Sequence, residues 1–117
     1  MKTYPVCENR TFLRAYRKGK KYAGRYIVIY ALNTGPEMKT RLGLTVTKGR
    51  GGAVVRNRIK RVIRAAWRDV LLRRGVMGSR DVIIVARDAA ITAKSNDIIP
   101  ELERGLDTLG VLPAKEH

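Results

Sequence analysis

The chain predicts an α+β domain, a small sheet with helices packed on it, and three observations carry that prediction. Helix-period and strand-period segments follow one another in the order helix, strands, helix, strand, helix. Glycine, proline and asparagine punctuate the joints between them. With 117 residues, 44% of them hydrophobic, there is material for one domain, residues 1–117, with a single modest core.

Residues 8–19 read as a short helix, capped by Asn9 or Thr11 and ended by Gly19, with Phe12 and Tyr16 four apart on one face. Residues 26–32 are β-branched and aromatic and read as a strand. Tyr26, Val28 and Tyr30 point one way and Ile27, Ile29 and Ala31 the other, so both sides are covered. Asn33, Gly35 and Pro36 mark a turn. In the returning strand, 41–47, Leu42, Leu44 and Val46 share one face; Arg41, Gly43, Thr45 and Thr47 share the other, whose small and hydroxyl groups suit a polar ligand. Gly49, Gly51 and Gly52 lead into a helix over 53–74. Its apolar stripe is Val55, Ile59, Val62, Ile63, Ala66 and Val70, with Trp67 packed at the margin, and Gly75 and Gly78 end it. Residues 81–86 form a further strand. Ser95–Asn96 cap a final helix that carries Pro100 in its first turn and Ile98, Ile99, Leu102, Leu106 and Leu109 inward. Its acids, Asp97, Glu101, Glu103 and Asp107, are assigned to the solvated face.

Charge is the strongest functional signal. The chain carries 25 Lys and Arg against 10 Asp and Glu, net +15. Residues 48–74 alone hold ten bases and one acid, Asp69; residues 1–25 hold eight bases and one acid; residues 75–117 are net −2. Solvated helix faces mix signs, and this helix barely does. Arg56, Asn57, Lys60, Arg61, Arg64 and Arg68 project away from the apolar stripe, while Arg58 leans toward it and is placed to snorkel or pair with Asp69. A rigid cationic row of this kind fits a polyphosphate backbone. No apolar run approaches the roughly 18 residues of a membrane span, and the N-terminus lacks the apolar core of a signal peptide. Cys7 stands alone, which fits a reducing cytoplasm.

A protein-borne hydrolytic site is hard to assemble. The one histidine, His117, is the last residue, and Cys7 has no histidine near it in sequence. No metal-ligand spacing appears, and the Gly49–Gly52 stretch lacks the phosphate-loop pattern. No catalytic residue is therefore assigned.

The string Lys48-x-x-Gly51-x-Ala53-Val54-x-Arg56-Asn57-Arg58-x-Lys60-Arg61, with Arg64 after it, resembles the signature of the bacterial ribonuclease P protein subunit. The likeness extends over about residues 9–106, through Phe12 and Tyr16, the strand Arg25–Tyr30, Arg41-Leu42-Gly43-Leu44 and Asp81–Arg87. It implies an α-β-β-β-α-β-α two-layer sandwich like domain 2 of ribosomal protein S5. In that fold a small first strand falls in 20–24 and the basic helix makes a left-handed crossover. It also implies a monomeric protein, one per RNA, that joins a catalytic RNA cutting the 5′ leader from precursor tRNA. The RNA carries the chemistry with Mg²⁺ that it binds itself. Carried over by position, Arg56, Asn57, Arg58, Lys60, Arg61, Arg64 and Arg68 face the catalytic RNA. Phe12, Tyr16, Val28, Tyr30, Lys48 and Arg50 line a cleft for the leader. The sequence departs from the family at Gly49, where a second lysine is common and Arg50 substitutes, at Gly52 in place of Asn, and at Asp88-Ala89-Ala90 in place of a basic residue and proline.

The competing reading is a ribosomal or other structural RNA binder without a processing role, which composition and charge fit equally well. A helix-turn-helix DNA binder would need a short helix just before the basic one, where a strand is predicted. A protein-only nuclease lacks the acids and histidines.

Overall fold

In the computed structural model of the chain, the described residues are 4–5, 9–33, 40–47, 49, 51–75 and 80–113, with side chains described from Phe12 onward. Cys7, Lys48, Arg50, His117, the Gly35–Pro36 turn, Gly78 and the Asn9 and Thr11 side chains lie outside them. The elements are β1 (Tyr4–Pro5), α1 (Asn9–Lys18), β2 (Lys20–Ala23), β3 (Ile27–Asn33), β4 (Arg41–Thr45), α2 (Ala53–Arg74), β5 (Arg80–Ala86) and α3 (Ser95–Thr108), with a 3-10 turn at Asp88–Ile91. This is the predicted α-β-β-β-α-β-α order with the two-residue β1 added in front.

The sheet runs β1-β4-β5-β3-β2. β3 lies antiparallel to β2 and β5, while β4 and β5 are parallel neighbours joined by the α2 crossover. Arg41 and Asp81 stand opposite one another in the parallel pair, and Arg41 Nε and Nη2 donate to the two Asp81 oxygens at 2.7 Å each. With Asp81 1% exposed, a one-residue slip would strand a buried carboxylate, so the pair fixes this register.

One sheet face, Ile27, Ile29 and Ala31 with Val82, Ile84 and Ala86, packs against α2 and α3 and makes the main core. From α2 it receives Ile59, Ile63, Ala66, Trp67 and Val70, and from α3 Ile98, Leu102 and Leu106. Each such large aliphatic contributes about 1.5–3 kcal/mol on burial. Tyr26, expected to point with Val28 and Tyr30, instead packs at the margin of this core. It precedes the strand and does not share its alternation. Leu72, in the last turn of α2, is 80% exposed.

The N-cap of α3 falls one residue before the expected cap pair. Lys94 is the N-cap, its N–H donating to Asp97 Oδ2 at 2.9 Å. Pro100 is thereby in the second turn of α3, where it removes the donor for the Asn96 carbonyl. Among the described residues, α1 is the one helix on the other sheet face, over a small second cluster of Ala15 and Ile83 with Phe12, Tyr30 and Val85. It covers only part of that face.

Candidate nucleic-acid interface

Strand alternation sends Val28 and Tyr30, Ile83 and Val85, Gly43 and Thr45, and Lys21 and Ala23 to the face that carries α1. The registers align these into two rows across the sheet, Gly43–Ile83–Tyr30–Lys21 and Thr45–Val85–Val28–Ala23. α1 sits over the first row. A Cβ at Gly43 would lie 2.8 Å from Ile83 Cδ1 and 2.9 Å from Phe12 Cζ, so glycine lets the Phe12 ring approach the strand. The small residue expected to admit a ligand thus admits Phe12. Tyr16 reaches toward the second row, its hydroxyl 3.1 Å from Thr45 Oγ1. Its ring meets Tyr30 edge to face, with centroids 4.9 Å apart, an arrangement worth about 0.5–1.5 kcal/mol beyond burial. Lys21 Nζ lies 5.9 Å from the centroid of the Tyr30 ring.

A shallow cleft results. Its floor is the half-buried Val28 and Val85, and its wall is Tyr16, 37% exposed, with Leu13, 49% exposed, one helical step outward. Of the leader residues implied by the resemblance, Phe12, Tyr16, Val28 and Tyr30 come together here. Lys48 and Arg50 lie outside the described residues. Thr45 was legible only as part of a strand face suited to a polar ligand, and Val85, Lys21 and Leu13 were missed. Strand parity was the signal for Thr45 and Val85, but nothing in the sequence said on which side α1 would sit.

On α2 the inward positions are i, i+4, i+7, i+8 and i+11 from Ile59. The exposed row opposite holds Asn57, Arg61, Arg64 and Arg68, an i, i+4, i+7, i+11 series about 16 Å long. Arg56, Arg58 and Lys60 are half-buried on the shoulders. At about 100° per residue Arg58 and Lys60 fall on opposite sides of the helix, so the cations wrap it rather than form one stripe. Arg56 is the one tucked against the core side. Its Nε is buried with no hydrogen-bond partner among the described residues, a donor that costs about 1–3 kcal/mol unless an acceptor arrives. Arg58 does not pair with Asp69, which binds Arg73 at 2.8 Å.

The acids explain why these cations are free. Glu103 and Asp107 are not unpaired: Arg73 Nη2 meets Glu103 at 2.7 Å, and Arg74 meets Glu103 at 2.9 Å and Asp107 at 2.8 Å. Arg74 also donates to the Pro113 carbonyl at 2.9 Å. The hydrogen bond from Arg73, with Arg74 adding to it, holds the Glu103 carboxyl below its usual range. The same contacts raise both guanidinium pKa values. Glu101 accepts the N–H groups of Arg25, Tyr26 and Ile27 at 2.7, 2.9 and 2.9 Å. A Cβ at Gly24 would sit 2.6 Å from Glu101 Oε2, so glycine is needed at this turn. Thus all four acids assigned to a solvated face are tied to arginines or to backbone, Asp97 through the Lys94 N–H. Among the described residues, no acid pairs with Arg56, Arg58, Lys60, Arg61, Arg64 or Arg68. The first turn of α2 contains no acid, and its free N–H groups add to the positive potential there. No helix among the described residues is long and apolar enough to cross a membrane.

The Ribonuclease P family profile matches residues 1–110. Among similar proteins, the ribonuclease P protein component of Staphylococcus haemolyticus is 35% identical over 114 residues, covering 97% of this chain and 96% of that protein. The corresponding protein of Listeria monocytogenes is 34% identical over 116 residues, covering 99% and 96%. The solved structure of the Staphylococcus aureus RNase P protein superposes with a TM-score of 0.79 at 35% identity, covering 96% of this chain and all of that one. The Thermotoga maritima RNase P protein, at 23% identity and a TM-score of 0.72 over 90% of this chain, shares the fold. By sequence and by fold, this chain belongs to the ribonuclease P protein family.

Proposed function

We propose that this protein is the protein subunit of a cytoplasmic ribonuclease P, bound as one monomer to a catalytic RNA that removes the 5′ leader from precursor tRNA. The observation that carries the reading is the pairing of two surfaces of different chemistry on one small domain: a helix with six cations that no acid among the described residues neutralises, and an aromatic cleft on the opposite sheet face. The cations of α2 suit the dense phosphates of a folded RNA. The cleft, with Tyr16 and Tyr30 over an apolar floor, suits unpaired bases, which stack on aromatic rings with little regard to sequence. A leader is single-stranded and varies from one precursor to the next, and stacking tolerates that variation.

The protein's part is binding and orientation. Arg56, Asn57, Arg58, Lys60, Arg61, Arg64 and Arg68 hold the catalytic RNA. Phe12, Tyr16, Val28 and Tyr30 hold the leader, with Lys48 and Arg50 at the cleft edge. Mg²⁺ in this reading is bound by the RNA and supplies the hydrolytic chemistry there. Among the described residues no three His, Cys, Asp or Glu side chains gather as a metal site would require, so no step is assigned to a protein-held ion.

The test is reconstitution. RNA co-purifying with the protein is sequenced, transcribed and assayed with precursor tRNA, with and without protein. The expected result is slow cleavage by RNA alone at high Mg²⁺, faster cleavage at low Mg²⁺ with protein, and none by RNA-free protein. Robust cleavage by RNA-free protein, or co-purification of ribosomal RNA alone, would overturn the reading.

A further inference from the structure

A second concentration of charge has no part in either surface described above. Residues 9–36 hold seven bases and no acid. Three of these bases, Arg14, Arg17 and Lys18, stand exposed on α1. Helical projection places them relative to the fully buried Ala15, which marks the inward direction. Tyr16 lies about 100° to one side of it, the side of the cleft. Arg14 and Lys18 lie about 100° and 60° to the other side, and Arg17 points outward. This flank of α1 therefore faces away from the cleft, over the sheet row Arg41–Asp81–Leu32. The acid in that row, Asp81, is buried and bound to Arg41. Among the described residues, no acid pairs with Arg14, Arg17 or Lys18. The three side chains, with Leu13, line a shallow depression, and no aromatic ring is among the lining residues.

We propose that the outer flank of α1 is a second contact for the catalytic RNA, in which Arg14, Arg17 and Lys18 bind phosphates of a paired segment distinct from the segment held by α2. The proposal rests on the reading of α2 as the catalytic-RNA helix. Three unpaired cations within about 6 Å along one helix call for a polyanion. Without a ring for stacking, the surface suits the phosphates of a double helix rather than unpaired bases. The two cationic helices lie on opposite faces of the sheet, and the molecule is only 23 Å across in its shortest dimension. One large folded RNA can reach both faces of so thin a body, which places the protein as a wedge between two of its segments. Bases in the last turn of a helix also complement its dipole, and Arg17 and Lys18 stand there. Arg14 precedes that turn, and a dipole role alone would leave RNA affinity indifferent to all three.

Arg17→Cys on α1 and Ala65→Cys on the exposed side of α2, each in a Cys7→Ser background, are coupled to an iron chelate that generates hydroxyl radicals. Each is assembled with the catalytic RNA and precursor tRNA, and the cut nucleotides are mapped on both RNAs. The expected map shows two separate segments of the catalytic RNA, one for each probe. Cuts from residue 65 with none in the catalytic RNA from residue 17, or cuts by both probes in one segment, overturn the second contact alone. No cuts in the catalytic RNA from residue 65 overturn the reading of α2 on which the proposal stands. In parallel, the triple variant Arg14→Gln, Arg17→Gln, Lys18→Gln is titrated with the catalytic RNA across a salt series and melted. Three lost phosphate contacts flatten the salt slope by about 2 to 3, beyond the share of α2. Counted from 1 M salt, that is a loss of roughly 100- to 500-fold in affinity at 0.1 M. An unchanged slope, with or without a lower Tm, or a loss confined to precursor tRNA, refutes the contact.

Discussion

Arg64 and Arg74 lie on the same helix and carry the same charge, yet their surroundings predict opposite roles in binding RNA. Arg64 is exposed and pairs with no acid among the described residues, whereas Arg74 is held by Glu103, Asp107 and the Pro113 carbonyl. Only cations free to displace counterions from phosphate contribute to the salt dependence. The six free ones on α2 give a slope of log K against log salt of about −4 to −5, at roughly 0.7–0.9 per phosphate. Affinity for the catalytic RNA is then expected to fall roughly 10³-fold between 50 and 200 mM salt. Arg64→Ala should flatten the slope by about 0.7–0.9 with little change in Tm. Arg74→Ala should leave the slope nearly unchanged and lower Tm, because it unclasps α2 from α3. Filter binding of the catalytic RNA across a salt series, with thermal melts of each variant, measures both. An Arg74→Ala slope as flat as that of Arg64→Ala would refute the division of the helix into a binding part and a clasped part.

Other expectations follow from single contacts. Phe12→Ala removes a half-buried ring from above Gly43 and Ile83 and should cost about 2–3 kcal/mol in a denaturant titration, while catalytic-RNA affinity at low temperature is unchanged. Glu101→Ala leaves three N–H groups of the β2–β3 turn without their acceptor and should cost about 2–4 kcal/mol, with Glu101→Gln costing less. Glu103 has a folded-state pKa below its ordinary 4.5, so its stabilising contribution is present above that value and is lost as pH falls through the lower folded one. The Tm gap between wild type and Glu103→Gln should therefore be constant at neutral pH and close progressively below about pH 4.5. A gap that widens on acidification would contradict the assignment.

Much of the fold was legible because it rests on local periodicity. α2 spans 53–74 as its apolar repeat and flanking glycines indicate, and β3 and β5 fall within a residue of their β-branched runs. What the sequence hid were contacts between distant segments. Glu101 looks like a solvated helix acid until the β2–β3 turn, about 75 residues earlier, is found around it. Arg73 and Arg74 count toward the cationic helix until Glu103 and Asp107 are seen to hold them. Helical projection placed Arg58 toward the core side, yet Arg56 is the residue with the buried Nε. Their offsets from the apolar stripe differ little, and the packing of the sheet decides between them. The cleft was legible in its residues and not in its construction. The spacing of Phe12 and Tyr16 put both rings on one face, but only the assembled sheet shows Phe12 seated on Gly43 and Tyr16 left 37% exposed.

That difference makes Tyr16 the most direct probe of the central claim, that the cleft recognises the leader. Phe12 is partly a packing residue, whereas Tyr16 presents its ring at the surface and is held by Tyr30 and Thr45. The measurement is the affinity of Tyr16→Ala and wild-type holoenzyme for precursor tRNA and for mature tRNA lacking the leader. One lost stacking contact of about 1–3 kcal/mol predicts a roughly 5- to 100-fold loss for the precursor and no change for the mature tRNA. Equal losses for both RNAs, or none for the precursor, would contradict it.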